Sequence, residues 1–381
     1  MSIRIINILE EGRYGGPQKR TTLICAKMDN NEFEVLVVFP RNESKLFYEK
    51  LSIKRIKNKR IDLHRLTKQK AHLVKYIALF IPELFALYKL FKKEHVDIVQ
   101  CNGSWQIKGV IAGALSGAKV VWFLNDTQMP RLLRIVFKNL ALICCDAIIA
   151  NGNRAKKYYL HDLGLLSIPF DVIQSPVDTT LFDPEKVEED QKIAGYPGLK
   201  IVTVGNINPL KGIEYFVEMV SILNQQYNNL NFFVIGPHFD SQAQYSKKLS
   251  GLSKSLKTEN LYFYGPSDNI PSVLKAADVY VCLSIAEASP ISVWEAMSME
   301  KAIVSTDVGD VANFIKDGES GYVVPIKNAP AMAKRVGLFI ENANLRKKVG
   351  TNARNIAVKH LDVDICAKKH ADFYRKFVKM K

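Results

Sequence analysis

The sequence of 381 residues predicts an α/β protein with two doubly wound domains. Short apolar runs, typical of buried parallel strands, alternate with longer helical patterns in both halves of the chain. A polar stretch at 175–198, with three prolines, separates the two halves. A chain of this length is also too long for one ordinary core. We therefore expect two parallel sheets, each covered by helices, in domains that face each other across a cleft.

Six strands are predicted in each half from apolar runs bounded by turn residues. They are 3–9, 33–39, 96–102, 118–124, 146–150 and 171–174 in the first half, and 199–205, 230–236, 260–265, 278–284, 301–306 and 321–325 in the second. The expected division is a first domain over 1–180, a linker over 181–198 and a second domain over 199–360. A C-terminal helix over 361–381 is expected to pack back on the first domain.

The chain is strongly basic, with a formal net charge of +15, which indicates an anionic partner. Lysine and arginine concentrate in 45–70, and an apolar helical stretch follows at 71–91. This pairing suits a protein that lies on an anionic membrane surface. The alternative is a solvated surface next to an ordinary covering helix. Aromatic residues do not interleave with the basic ones as in nucleic-acid sites, so no nucleic acid is expected as a partner.

The expected location is the cytoplasm, with the protein peripheral on the inner face of the cell membrane. The six cysteines form no CxxC pair, which suits a reducing compartment. The N-terminus meets glycine and acid too early for a signal peptide. The longest uncharged run in the stretch 71–91 is 76–82, far below the roughly 18 residues that a membrane span needs.

The segment "EASPISVWEAM", 287–297, places two glutamates eight residues apart after a predicted buried strand. Ser289 is predicted as the N-cap of the next helix, with Pro290 in its first turn. The free N–H groups of such a turn favour phosphate or a partly negative sugar oxygen. Glu287 on the loop and Glu295 on the helix could both reach one extended ligand. The alternative is that they are a loop acid and a solvated helix acid.

The segment resembles the E-x7-E motif of retaining glycosyltransferases of the two-domain GT-B type, the glycogen-synthase-like and bacterial family 4 enzymes. The flanking segments match this family in order. They are "EGRYGGPQKR" at 11–20, "VIQSPVDTTLFDP" at 172–184, "VGNINPLKG" at 204–212, and those on either side of 287–297. The resemblance covers nearly the whole chain. It implies the GT-B architecture, two Rossmann-like domains facing across a cleft.

The resemblance implies a set of site residues. The catalytic residues would be Glu287, Lys211 and Asn125, and the donor-binding residues Gly15, Gly16, Gly205, Asn206, Lys211, Gly265, Ser289, Pro290, Ile291, Ser292 and Glu295. Glu287 would contact hydroxyls of the donor sugar, and Glu295 the ribose. Lys211 would pair with the diphosphate, whose negative charge grows as it leaves. Gly15 and Gly16 would let the backbone approach phosphate or acceptor closely.

Three positions depart from the family pattern. Asn206 stands where the phosphate loop usually has arginine, so either another cation such as Arg13 substitutes or phosphate binding depends mainly on Lys211. Asn125, with Asp126, stands at the end of the fourth predicted strand, where many relatives have histidine. Ala288 and Ser289 replace the usual glycine and aromatic residue of the motif.

The resemblance implies a retaining, metal-independent hexosyltransferase-type enzyme with no cofactor. Its donor would be a nucleotide-diphosphate sugar, and its acceptor a glycan on a lipid carrier, in the synthesis of cell-surface polysaccharide. Three alternatives remain open at this stage. They are a sugar-nucleotide epimerase of the same fold, a Rossmann dehydrogenase, and a non-catalytic relative that only binds sugar nucleotide.

Overall fold

The computed structural model describes residues 2–66, 70–127, 129–239 and 242–378. They form two compact units. The first contains 1–176 and 363–381, and the second contains 177–362. The predicted basic segment at 45–70 and C-terminal helix at 361–381 each extend partly outside the described residues.

The first unit contains a parallel sheet of seven strands. They are β1 (Ile3–Leu9), β2 (Phe33–Pro40), β3 (Asn58–Ile61), β4 (Ile98–Asn102), β5 (Lys119–Leu124), β6 (Ala147–Ala150) and β7 (Phe170–Val172). They lie in the order β3-β2-β1-β4-β5-β6-β7. All residues of β4 and β6 are buried, as expected for central strands covered on both faces.

The helices of this unit are α1 (Gly16–Ala26), α2 (Lys45–Ile53), α3 (Lys70–Ala78), α4 (Phe80–Lys93), α5 (Ile107–Ser116), α6 (Arg131–Cys144), α7 (Asn153–Lys156) and, from the other end of the chain, α16 (Val363–Val378). A π-helix, Lys157–Asp162, continues α7. The apolar stretch 71–91 is helical, as predicted, and is divided between α3 and α4.

All six strands predicted in the first half are confirmed, but the sequence analysis missed β3. This strand lies at the edge of the described sheet, where it pairs with β2. Its sequence, Asn-Lys-Arg-Ile, has no apolar run because an edge strand is only partly covered. Charged side chains on such a strand also discourage pairing with other chains. Edge protection therefore accounts for part of the basic charge in 45–70.

The second unit contains six parallel strands in the order β10-β9-β8-β11-β12-β13, and all six were predicted. They are β8 (Leu199–Val204), β9 (Leu230–Ile235), β10 (Leu261–Gly265), β11 (Val279–Cys282), β12 (Ala302–Thr306) and β13 (Tyr322–Val324). The helices are α8 (Gln191–Ala194), α9 (Ile213–Asn224), α10 (Ala243–Ser255), α11 (Ile270–Ala276), α12 (Ile291–Ser298), α13 (Val311–Phe314), α14 (Ala329–Glu341), α15 (Ala343–His360) and a 3₁₀ helix (Pro209–Lys211).

The polar segment 181–198, predicted as a linker, lies within the second unit. Phe182 and Ile193 are buried in its core. The side chain of Asp190 caps α8 by accepting hydrogen bonds from the N–H groups of Lys192 and Ile193. The chain enters and leaves this unit at neighbouring points, where the Val177 N–H donates to the Leu361 carbonyl at 2.9 Å.

Helix α16 belongs to the first unit. Burial lowers the pKa of His370 well below its usual range, so the neutral ring accepts a hydrogen bond from Arg20 on α1, with 2.5 Å between the nitrogens. The Arg20 guanidinium also stacks on the Phe123 ring of β5, 3.5 Å from its centroid. The Tyr374 hydroxyl bonds to the Gln100 side chain at 2.5 Å. These polar contacts position α16 on the sheet within an apolar cluster.

Candidate functional site

The site residues predicted in the second half lie at the carboxyl edge of the second sheet, in the loops that leave it, or in helix α12, which follows one of these loops. Gly205, Gly236 and Gly265 stand at the ends of the neighbouring strands β8, β9 and β10. The Gly236 N–H donates to the Gly265 carbonyl at 2.8 Å. Gly236 has a φ of +148°, and a Cβ there would collide with the Gly205 carbonyl, so only glycine fits. The sequence analysis did not select Gly236.

The loop after β8 places Lys211 at this edge. The Asn208 side chain caps the 3₁₀ helix by accepting the Leu210 N–H at 2.9 Å. Gly212 follows with a φ of +63°, and a Cβ there would collide with the Leu283 carbonyl. The Ile285 N–H donates to the Leu210 carbonyl at 2.8 Å. The phosphate-loop candidate is therefore bonded directly to the loop that carries Glu287.

Lys211 and Glu287 form an ion pair with 2.5 Å between Nζ and Oε1. The Ser284 hydroxyl donates to the same carboxylate oxygen at 2.9 Å. The two side chains are 26% and 18% exposed, so the pair is shielded yet reachable from solvent. Burial alone lowers the pKa of Lys211, but the charge and hydrogen bond of Glu287 outweigh it and raise the pKa above its usual value. Lys211 is therefore a firmly protonated cation.

Glu295 is only 3% exposed, so the alternative of a solvated helix acid is wrong. It lies within α12, and its negative charge contributes to the raised pKa of Lys211. Both glutamates of the E-x7-E motif thus act on the same lysine, Glu287 by contact and Glu295 through its field. The eight-residue spacing thus places one carboxylate in contact with Lys211 and a second, buried one on the following helix.

Helix α12 begins one residue later than predicted. Its N-cap is Pro290, so the prediction of Ser289 as N-cap is wrong. The Ser289 hydroxyl instead accepts a hydrogen bond from the Trp294 indole at 3.0 Å. The N–H groups of Ile291 and Ser292 are in the first turn, where no intrahelical carbonyl is available to them. These two donors, with the helix dipole, are suited to an anionic ligand.

Asn206, which stands where the family usually has arginine, lies half-buried in the loop after β8. Its carbonyl accepts a hydrogen bond from the Asn208 side chain at 3.3 Å. Arg13, the cation considered as its substitute, lies in the first unit and pairs with Glu11 at 2.8 Å. Among the described residues of the second unit, Lys211 is the cation that forms an ion pair with Glu287.

In the first unit, Gly15 and Gly16 form the start of α1 after β1. A Cβ at Gly16 would meet no atom within 4 Å, and one at Gly15 would meet only the Gln18 side chain at 3.5 Å. Internal packing therefore does not require glycine at either position. Close approach of a ligand to this backbone remains a prediction.

Asn125 follows β5 and is half-buried at the carboxyl edge of the first sheet. The neighbouring Asp126 carboxylate accepts hydrogen bonds from the Ser104 hydroxyl and, at 2.9 Å, from the Tyr159 hydroxyl. The loop after β4 and the π-helix thereby hold Asp126 in place. Asn125 thus follows a strand end in the position predicted, and its role remains a prediction.

Glu10, which directly follows β1, is a polar residue of this edge that the sequence analysis missed. Its Oε1 accepts the Trp105 N–H at 2.6 Å. Burial and the nearby charge of Asp126 raise the pKa of Glu10 from 4.5 to about 8. Glu10 is thus protonated near neutral pH, and the neighbouring Asp126 accepts hydrogen bonds from two hydroxyl groups. An acid immediately after the first predicted strand was the signal available in the sequence.

The described residues lack two features, a candidate metal site and a candidate membrane-spanning helix. No group of three His, Cys, Asp or Glu side chains in this part of the chain is arranged to hold a metal ion. No helix among the same residues has the length and hydropathy needed to cross a membrane.

Comparison with protein families identifies the chain. Residues 14–181 match the model of glycosyltransferase family 4, and residues 186–356 match that of glycosyl transferases group 1. The chain belongs to the group 1 glycosyltransferases. The two matches correspond closely to the two structural units, and the predicted family resemblance is confirmed.

Two curated relatives of this glycosyltransferase align over most of both chains. One is the Escherichia coli UDP-Gal:alpha-D-GlcNAc-diphosphoundecaprenol alpha-1,3-galactosyltransferase, 25% identical over 82% of this chain and 91% of the relative. The other is the Campylobacter jejuni N,N'-diacetylbacillosaminyl-diphospho-undecaprenol alpha-1,3-N-acetylgalactosaminyltransferase, 23% identical over 94% and 95%.

Solved structures of glycosyltransferases share the fold. Anabaena HepE in complex with UDP-glucose has a TM-score of 0.84 at 18% identity, covering 98% of this chain and 100% of HepE. A glycosyltransferase from Rickettsia africae has a TM-score of 0.83 at 16% identity, with both chains fully covered. The predicted GT-B class, with two Rossmann-like domains, is confirmed.

The raised pKa of Glu10 predicts a pH-dependent stability of the glycosyltransferase. Between its ordinary value of 4.5 and its folded value of about 8, the unfolded chain loses the proton while the folded protein keeps it. The free energy of unfolding should therefore fall as pH rises through this window, by an amount on the order of 2–4 kcal/mol. Glu10→Gln should remove that component.

Urea unfolding of the wild type and of Glu10→Gln at pH 5 and pH 8 measures the difference. Glu94→Gln is the control, because it makes the same substitution in the same unit at a half-buried residue at the end of α4. An identical pH dependence in wild type and Glu10→Gln would contradict a protonated Glu10.

Proposed function

We propose that the chain is a retaining glycosyltransferase that moves a sugar from a nucleotide-diphosphate sugar to a lipid-linked glycan in cell-surface polysaccharide synthesis. The observation that carries the proposal is the Lys211–Glu287 pair at the carboxyl edge of the second sheet. A cation for phosphate and a carboxylate for sugar hydroxyls lie there beside the N–H groups that open α12. The two halves of a sugar nucleotide need these two chemistries side by side.

The donor is proposed to bind to the second unit. The Lys211 ammonium contacts the diphosphate, and Glu287 accepts hydrogen bonds from sugar hydroxyls. The N–H groups of Ile291 and Ser292, with the turn at Ser289 and Pro290, hold the remaining oxygens, and Glu295 binds the ribose. Gly205, Asn206 and Gly265 line the same edge through their backbones. The HepE structures with UDP and with UDP-glucose support a donor sugar carried on UDP.

Donor binding must then redistribute the charges around Lys211. Without ligand its ammonium is neutralised by Glu287 at 2.5 Å. A diphosphate brings more negative charge than one carboxylate, so the ammonium turns toward it. Glu287 keeps its hydrogen bond from Ser284 and gains sugar hydroxyls as donors in place of Lys211. The site therefore holds a cation and an acceptor ready without leaving either charge unpaired.

The acceptor is proposed to bind to the first unit, at the carboxyl edge formed by β1, β4 and β5. Asn125 and the protonated Glu10 supply hydrogen-bond donors for hydroxyl oxygens, Asp126 supplies an acceptor, and Gly15 and Gly16 let the acceptor approach the backbone. The names of the E. coli and C. jejuni relatives, which act on diphosphoundecaprenol-linked sugars, support a lipid-linked glycan.

The transfer step needs no metal in this proposal. The acceptor oxygen forms its bond to the anomeric carbon on the face from which the diphosphate oxygen departs. The acceptor proton passes to that departing oxygen, and Lys211 with the α12 amides stabilises its growing charge. An epimerase would instead release free sugar. The relatives are named as transferases, which supports transfer to an acceptor.

Substitution of the ion pair tests the donor site. Lys211→Ala should weaken binding of a nucleoside diphosphate by about 10- to 150-fold, because a hydrogen bond to a charged group is worth about 1.5–3 kcal/mol. Glu287→Gln should retain nucleoside diphosphate binding and lose most of kcat for sugar transfer. Calorimetric titration with UDP and a transfer assay with UDP-sugars measure the two effects.

The controls are Lys334→Ala and Glu319→Gln, exposed positions of the same unit. Normal turnover of a folded Glu287→Gln enzyme would show that Glu287 has no role in the reaction. Unchanged UDP affinity in Lys211→Ala would place the phosphates elsewhere. Free sugar as the main product in the presence of acceptor would favour the epimerase.

Chelation tests the metal-independent step. Transfer should persist in excess EDTA, because Lys211 and the α12 amides supply the positive charge that a divalent ion would otherwise provide. Initial rates with and without chelator, on enzyme dialysed against it, are the measurement. A rate that disappears in EDTA and returns with Mg²⁺ or Mn²⁺ would refute this mechanism.

A peripheral position on the inner face of the cell membrane is proposed from the basic segment 45–70. Lys54, Arg55, Lys57 and Lys59 are exposed at the edge of the first sheet. The Lys57 charge is partly neutralised by Glu34, with 2.6 Å between Nζ and Oε1. The other three basic residues supply the positive field that attracts anionic lipid. Each basic residue near an anionic surface contributes about 1 kcal/mol.

Neutralising Lys54, Arg55, Lys57, Lys59 and Arg60 together should weaken sedimentation with vesicles of anionic lipid. Wild-type binding should fall as salt rises, because exposed charges are screened within about 10 Å at 0.1 M salt. Transfer to a soluble acceptor analogue should be largely retained. Equal sedimentation of wild type and neutralised variant at low salt would show that the segment is plain solvated surface.

A further inference from the structure

Helix α6 in the first unit has apolar side chains on two faces. One face is buried against the sheet and includes Phe137 and Ala141, 3% and 0% exposed. The other consists of Ile135, Val136, Leu142 and Ile143, which are 64%, 48%, 45% and 80% exposed. At 100° per residue these four positions fall within about 120° of the helix surface, with Asn139 among them. None of the residues that the structure describes covers this second face.

Cations border this exposed apolar face. The sequence of α6 contains three basic residues and no acid. Arg134 lies 5.2 Å from the centroid of the Tyr158 ring, and Lys138 reaches the loop at Gly164, so both point toward the π-helix. There a shallow cavity of about 450 Å³ is lined by Asn153, Lys156, Lys157 and His161.

We propose that this surface, the apolar face of α6 together with the cavity at Lys156 and Lys157, docks onto a bilayer of anionic lipid. The apolar side chains would enter the boundary between headgroups and acyl chains, and the cavity would hold an anionic headgroup. An apolar stripe beside cations is the pattern of a helix that lies in a membrane interface. The inference rests on the membrane association proposed above and adds to it a contact made by other residues of the same unit.

Charge favours a bilayer over a second copy of the chain as the partner of this surface. Two copies that met through α6 would bring their flanking lysines together within a protein whose net charge is +15. An anionic bilayer has the complementary charge. The neighbouring helices extend the same surface, because α5 packs between α4 and α6. Val74, Ile77, Ile81 and Phe85 on α3 and α4 are 65%, 65%, 68% and 52% exposed.

The test is sedimentation of the full chain with vesicles of phosphatidylglycerol and phosphatidylcholine. The double variant Ile135→Ser/Ile143→Ser leaves net charge unchanged and should lower vesicle affinity by at least 10-fold, as expected for losing two inserted apolar side chains. Ile326→Ser/Val358→Ser, exposed positions of the second unit, is the matched control and should bind as the wild type does.

A second pair of variants tests the headgroup cavity. Lys156→Ala/Lys157→Ala should reduce the preference for anionic over neutral vesicles, and Lys247→Ala/Lys248→Ala, adjacent exposed lysines of α10, should not. Transfer to a soluble acceptor should survive in all four variants. Because sedimentation does not depend on turnover, the test is valid even if the proposed reaction is wrong.

The outcomes separate the two membrane proposals. If only the five-residue neutralisation in 45–70 weakens binding, the basic segment stands and the α6 proposal is overturned. Concentration-dependent dimerisation that Ile135→Ser/Ile143→Ser abolishes, without loss of vesicle binding, would show that a second copy covers the face and would also overturn it. Loss of binding in the serine variant with full binding in its control would support it.

Discussion

Parallel pairing of the strands is the constraint on which the site depends. Every ladder within the two described sheets is parallel, so each strand must be followed by a crossover that starts at the same edge. Loops remote in sequence therefore meet at that edge. Lys211 and Glu287 are 76 residues apart and form one ion pair because β8 and β11 are neighbours.

Backbone contacts then bring the loops after β8 and β11 within hydrogen-bond distance of each other. Gly212 removes a side chain that would strike the loop after β11, and the Ile285 N–H bonds to the Leu210 carbonyl. The lysine and the glutamate thus approach each other on loops that are bonded together. A site assembled in this way does not need a ligand to bring its charges together, which lowers the ordering cost of binding.

The strands and the polar loops after them could be predicted because buried parallel strands leave continuous apolar runs. Other features depend on the surroundings of a residue. β3 is a charged edge strand without such a run, and 181–198 is polar yet contributes buried Phe182 and Ile193. Serine is a common N-cap residue, but the Ser289 hydroxyl instead accepts a hydrogen bond from the Trp294 indole. The partners of Glu10 come from the loops after β4 and β5, so its protonation state could not be derived from its neighbours in sequence.

The hydrogen bond between Arg20 and His370 joins residues that are 350 positions apart in the sequence. During synthesis the first unit therefore leaves the ribosome without its last helix, and Phe123 and Arg20 have no His370 or Tyr374 to cover them. The whole second unit must be translated before α16 arrives. Folding during synthesis therefore ends with the first unit, although this unit begins the sequence. The second unit, whose elements are contiguous in sequence, can complete its core before then.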